Sequence, residues 1–331
     1  MNKNHIPLSM LDLVPIGEGF SPGDAIAQGT RLAQAAEAAG YLRYWVAEHH
    51  SMVDIASAAT AVVLSHIGAH TQRIRLGSGG IMLPNHAPLV VAEQFGTLEA
   101  MYPGRIDLGL GRAPGSDGET MRALRRDVRA DGSEFPELLE ELQHYLAPAA
   151  DGQRVRAVPG NGQDVPVWLL GSSTYSAQLA AFKGLPFAFA AHFAPDAMQM
   201  ALDLYRRNFR PSPQLSAPYA MVCINAVAAD TQEEAEFLFS SALQKFLSMG
   251  RGGRNLLAPP VRDMASLWSS AEEFRVREQL REALCGTPEQ VCTGLEALVA
   301  RTSVEEVMIS SWIHDPAARI HSHQLIAQAW L

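Results

Sequence analysis

Cysteine is scarce: the 331 residues hold three, Cys223, Cys285 and Cys292, and no two share a CxxC spacing. A disulfide framework or a thiolate zinc site is therefore not expected, and reduced thiols are. Charge is also sparse and leans acidic, with 26 Lys and Arg against 35 Asp and Glu, a formal net charge of −9, and no basic run. Nucleic acid and anionic membrane surfaces are poor partners for such a chain. Long apolar runs are missing too. The opening MNKNHIPLSML has no apolar core of a signal peptide, and the small-residue stretch 55–64 is too short to cross a bilayer, so a cytoplasmic protein is expected. Two dinucleotide fingerprints fail by one residue: Met82 stands where GSGGIM needs its last glycine, and Pro114 where GLGRAP does. No GxxxxGK[ST], HExxH, Ser-His-Asp order or paired-carboxylate spacing stands out, and no metal is expected.

What is present is core-forming material. Apolar residues make up 47% of the chain, enough for a large buried interior. The length suits two average domains or one α/β barrel with an insertion. Short runs rich in β-branched and aromatic residues alternate with amphipathic stretches. Strands are expected at 6–12, 41–47, 74–78, 105–110, 165–170, 186–191, 219–227 and 306–311. Helices are expected between them at 24–39, 55–70, 88–101, through 146, and at 174–183, 195–209, 232–247 and 315–330. Gly40 and Gly184 stop two of these, as helix-ending glycines do. Eight βα units are what a (β/α)8 TIM barrel requires, although the same alternation also serves a doubly wound sheet. The expectation is a single domain over 1–331, with 250–303 inserted between the seventh and eighth units and the Gly-containing segment 250–260 as a candidate lid.

In such a barrel chemistry sits just beyond the carboxyl ends of the strands. After the second strand, AEHHSM places Glu48, His49 and His50 together, where a carboxylate can tune an imidazole for proton transfer or the histidines can simply pack and cap. After the third, GSGGIMLPNH carries Gly77, Gly79 and Gly80, which allow close approach of a ligand or form an ordinary turn. The Gly-rich stretch after the fourth holds Arg112, a planar cation able to grip a phosphate or lie solvated. After the fifth, Gly171, Ser172 and Ser173 open a helix whose free N–H groups favour an anion, or form a plain serine cap. Arg112 and this turn come from neighbouring strands and can converge on one phosphate. His192, Trp312 and His314, beyond the sixth and eighth strands, are candidates for a substrate side or for rim packing. The HSH at 321–323 falls in a predicted surface helix, with solvated packing expected rather than metal binding.

Taken together, AEHH at 47–50, GSGGIMLPNHAPLVVAEQF at 77–95, GRIDLGLGRAPGSD at 104–117 and VPVWLLGSS at 165–173 resemble the bacterial luciferase-like, flavin-dependent monooxygenases. The similarity runs from the first strand through GTPEQV at 286–291 to the last strand. It implies a TIM barrel that binds FMN at its carboxyl face, usually as a homodimer, with the flavin supplied reduced by a separate reductase and used with O2 on an organic substrate, expected here to be small and largely apolar. Position by position, the resemblance puts His49 on the active-site histidine and Arg112 on the phosphate-contacting arginine. Gly171, Ser172 and Ser173 fall on the phosphate turn, and Gly79 and Gly80 on a non-proline cis peptide beneath the flavin ring. Luciferase itself has alanines at that glycine pair, cysteine at Gly111 and glutamate at Gly171, so neither light emission nor long-chain aldehyde specificity carries over. Two rival readings are a deazaflavin-dependent oxidoreductase of the same superfamily and a non-catalytic FMN-storage protein. The dimer is expected through helices 55–70 and 88–101, the first of which carries more small and apolar residues than one inward stripe requires.

Overall fold

A computed structural model describes residues 6–112, 118–124 and 132–331. In chain order the elements are β1 (Leu8–Asp12), α1 (Pro22–Ala39), β2 (Arg43–Val46), α2 (Thr60–Gly68), β3 (Arg75–Ser78), β4 (Ile81–Met82), α3 (Pro88–Met101) and β5 (Ile106–Gly111). Then come α4 (Gly118–Ala123), α5 (Phe135–Leu146), β6 (Val167–Gly171), α6 (Thr174–Lys183), β7 (Phe187–Ala190), α7 (Met198–Asn208) and β8 (Ala220–Ala228). The chain continues through α8 (Gln232–Gly250), α9 (Ser270–Gln279), β9 (Leu284–Gly286), α10 (Pro288–Thr302), β10 (Glu306–Ser310) and α11 (Pro316–Trp330). Strand order β10-β1-β2-β3-β5-β6-β7-β8 is closed by a β8–β10 pairing. All of these pairings are parallel, so the expected TIM barrel is the fold.

Strand alternation divides the core in two. Outward residues such as Leu8, Met10, Tyr44, Phe187, Phe189 and Ile309 pack beneath the helices. Inward ones such as Leu11, Trp45, Trp168, Met221 and Met308 fill the barrel. Trp45 and Trp168 meet edge to face at 5.2 Å in its middle. Gly77 is what admits Trp45, because a Cβ there would lie 2.5 Å from the indole Nε1.

The helix expected at 232–247 as the seventh outer helix does something else. Ala242, Leu243, Phe246 and Leu247 of α8 join the barrel-interior cluster, so α8 lies across the carboxyl mouth. Its place in the outer layer is taken by α10, which packs on β8 and α11 with Val291, Leu295 and Leu298 buried. Both helices are amphipathic, and an apolar stripe does not say which surface it will meet. In the final helix, His321 is exposed but His323 is buried, with Nε2 2.8 Å from Ser311 Oγ. The surface packing expected for the HSH segment therefore holds for only part of it. No helix among the described residues is long and apolar enough to cross a membrane.

Candidate active site

A cavity of about 520 Å³ opens at the carboxyl ends of the strands, within the size range of small-molecule sites. His49, Gly79, Gly80, Arg112, Gly171, Ser172 and Ser173 all line it. Residues as far apart as His49 and Ser173 in the chain are thus gathered on one surface only by barrel closure. A larger hollow of about 750 Å³ lies on α8 and α9, lined by surface residues such as Glu233 and Arg262 and by none of the barrel-strand ends.

His49 leaves the end of β2 toward the cavity, and its Nδ1 is buried without a partner. Burial holds the imidazole below its ordinary pKa, against the opposing pull of Glu48, so the ring is neutral at pH 7. Its neighbours turn away. Glu48 is buried and accepts from Met82 N at 3.1 Å and Asn85 Nδ2 at 3.2 Å, with His50 Nε2 at 2.7 Å and His86 Nε2 at 2.9 Å. Burial raises that carboxyl, but the hydrogen bonds of His86 and His50 outweigh it and hold Glu48 below the usual range. These three side chains place ligand atoms within 4.8 Å of one another, yet the carboxylate is already met by the protein's own donors. It serves as the hub joining the loops after β2 and β4.

The Gly79–Gly80 peptide is cis, as the resemblance implies. A Cβ at Gly80 would sit 2.7 Å from the Gly109 carbonyl oxygen, and one at Gly79 2.6 Å from Leu11 Cδ1. Here the alanines of luciferase would require the barrel wall to move.

On the far arc of the mouth, the Arg112 guanidinium lies 4.2 Å over the ring of Tyr175, the second residue of α6. The N-cap of that helix, Ser173, makes no side-chain cap hydrogen bond, leaving first-turn N–H groups without that partner. A fixed planar cation beside an uncapped helix N-terminus is a donor set for a phosphate. The rest of the Gly-rich loop, 113–117, lies outside the described residues.

Two of the three rim candidates reach the cavity. His192 lines it with Nδ1 unpartnered and its pKa pushed down to about 4 by burial, and Trp312 lines it with Nε1 unpartnered. His314 does not: it contacts the Glu18 carbonyl at 3.0 Å and packs on Phe20. Nor does any residue of 250–260 line the cavity, since Leu257 is tied by backbone hydrogen bonds to Ile16 and Glu18 at 3.0 and 2.9 Å. The cover is α8, through Lys245 and Met249. Lys245, missed in the sequence, forms a buried ion pair with Asp54. The available signal was a lysine on the stripe Leu238, Ser241, Ala242, Lys245, Met249, a helix face otherwise of apolar and small residues.

The profile of the luciferase-like monooxygenases matches residues 7–306. A luciferase-like monooxygenase of Escherichia coli strain K12 is 52% identical over 325 residues, 98% of this chain and 97% of that one. The N-acetyl-S-alkylcysteine monooxygenase of Bacillus subtilis strain 168 is 34% identical and covers 98% of both chains. Among solved structures, apo-MsnO8 matches with a TM-score of 0.88 at 34% identity over 98% of both chains. The FMN complex of the oxygenating constituent of 3,6-diketocamphane monooxygenase from Pseudomonas putida, a type II Baeyer-Villiger enzyme, matches in fold with a TM-score of 0.73. Its identity is 16%, over 98% of this chain and 97% of that one. With a closed barrel, a strand-end cavity and full-length relatives of this kind, the chain belongs to the luciferase-like monooxygenase family.

Proposed function

We propose that this flavin-dependent monooxygenase binds FMN in the strand-end cavity and uses it, reduced by a separate reductase, with O2 to oxidise a small organic substrate. The observation that carries the reading is the convergence of Arg112 and the uncapped start of α6 on the cavity that also holds His49. Arg112, Ser172 and Ser173 would hold the phosphate, while Gly79 and Gly80 offer a surface without side chains to the ring. When bound, FMN supplies the two-electron reduction of O2. The protein's part is to exclude water and to manage protons. Leu11, Leu13, Ile55 and Met249 provide an apolar wall, and α8 covers it. His49, neutral and with Nδ1 unspent, is placed to take up or deliver a proton there.

A homodimer through α2 and α3 completes the proposal, supported by Val62, Val90 and Met101, which stand exposed on these two helices. Light scattering at low micromolar concentration should give twice the chain mass; a monomer mass rejects it. The cofactor is tested by titrating the chain with FMN, riboflavin and a deazaflavin side by side. FMN should bind most tightly, and preference for the deazaflavin would transfer the protein to hydride-transfer chemistry. Substrate-dependent product with reduced FMN and O2 separates an enzyme from a flavin store.

A further inference from the structure

Among the described residues, the cavity wall carries two cations, Arg112 and Lys245, and no carboxylate side chain. They stand on different arcs of the mouth: Arg112 follows β5, whereas Lys245 reaches in from α8 toward the loop after β2 and toward Trp312 beyond β10. In the strand order, β10 and β2 flank β1, with β5 lying beyond β3. If Arg112 is engaged by phosphate, Lys245 remains the positive charge on the substrate side.

Its surroundings show a donor site. Among the described residues, Asp54 is the one acceptor that the ammonium meets, which leaves two of its three N–H donors unspent. Lys245 is 7% exposed, so it is held away from bulk solvent at the cavity wall. The ammonium lies 5.3 Å from the centroid of the Trp312 ring, whose Nε1–H is itself buried without a partner. Asp54 takes only one of the lysine's three donors. Around this point the wall is apolar, with Leu13, Met52, Ile55 and Met249. Buried donors left unmade cost free energy, and a charged acceptor repays more than a neutral one.

We propose that the substrate is a small organic acid with an apolar body, its carboxylate seated on the Lys245 ammonium and the Trp312 Nε1–H. This names the substrate class of the site proposed above and rests on that reading. The apolar body then extends along Leu13, Ile55 and Met249 toward the ring-facing glycines. One relative is named as a monooxygenase of N-acetyl-S-alkylcysteine, a compound that carries a carboxylate.

The test is isothermal titration of the full chain with hexanoate, hexanamide and 1-hexanol, with and without FMN. Hexanoate should bind about 10- to 100-fold more tightly than hexanamide and hexanol, the range expected for hydrogen bonds to a charged group. The charge-neutral double variant Lys245→Met/Asp54→Asn should lose that preference while binding hexanol as before. Trp312→Phe, which keeps the ring and removes the donor, should lose part of it. Equal binding of the three probes by the unaltered chain, no binding of hexanoate, or equal losses for acid and alcohol in the variants overturns the proposal. Flavin affinity, followed separately by fluorescence, reports on the FMN reading: a chain that ignores FMN but prefers hexanoate fails the first and not the second.

Discussion

The two ends of the barrel treat buried polar groups in opposite ways. At the amino end, Arg43 donates to Asp107 at 2.7 Å and to Glu306 at 3.0 Å, and Arg75 donates to Asp107 at 2.6 Å. Trp45 Nε1 and the Tyr219 hydroxyl complete the two carboxylates at 3.2 and 2.8 Å. At the carboxyl end, His49 Nδ1, His192 Nδ1, Trp312 Nε1 and Asp54 Oδ1 are buried with no partner. An unpaired buried polar atom costs about 1–3 kcal/mol, so one barrel end is built to hold the fold and the other keeps capacity for ligands. The same closed sheet supports both because strand direction sends every loop of the second set to one face.

The sharpest test of that contrast is His49→Ala. Turnover with reduced FMN and O2 supplied should fall about 10²- to 10⁴-fold, the usual contribution of a positioned acid or base, while FMN affinity and urea midpoint change little. A near-normal rate of product formation would make His49 a packing residue and shift proton handling to His192. The converse experiment is at the other end. Asp107→Ala strips a partner from Arg43, Arg75 and Trp45, and urea unfolding should show a loss of about 3–5 kcal/mol. A loss below about 1 kcal/mol would mean that the amino-end network is not what secures the barrel floor.

Arg112→Ala should weaken FMN by about 1.5–3 kcal/mol in a fluorescence titration and leave riboflavin nearly unaffected, because the bond proposed for Arg112 is to the phosphate. Equal weakening of both ligands removes the phosphate assignment. The smallest effect is on pH dependence. Burial lowers His192 from 6.5 to about 4, so the folded chain refuses a proton that the unfolded chain accepts between those values. Its contribution to stability is complete above pH 6.5 and is lost as pH falls toward 4. His323, buried and lowered to about 3, adds a loss of the same sign. His192→Leu should therefore flatten part of the acid limb of a stability–pH curve and leave the His323 part; an unchanged curve would show that His192 titrates normally in the fold.

Much of this was legible in the sequence. Helices Pro88–Met101 and Thr174–Lys183 match their expected bounds, and every barrel strand lies within a few residues of its expected run. Proline at the first turn of one and Gly184 at the end of the other are local signals that act through backbone dihedrals. The cavity-lining positions were found for a related reason: they directly follow strands, and strand direction alone assigns them to one end of a barrel. For His314 the packing alternative holds, because it lies four residues past β10, beyond the reach of strand alternation. His323 was misread because α11 is buried on more than one stripe, against Tyr41 on one side and Ser311 on the other.

The sequence by itself determined the alternation of elements, the eight-unit count and the residues that stand at strand ends, because these follow from periodicities of two and 3.6 and from short turn chemistry. Tertiary structure alone decided that α8 covers the mouth while α10 joins the outer layer, that Lys245 meets Asp54, and that Arg112 stacks on Tyr175. Those pairings join residues far apart in the chain. No local propensity encodes them; they exist because closing the barrel leaves an apolar mouth to cover and puts distant side chains within bonding distance of one another.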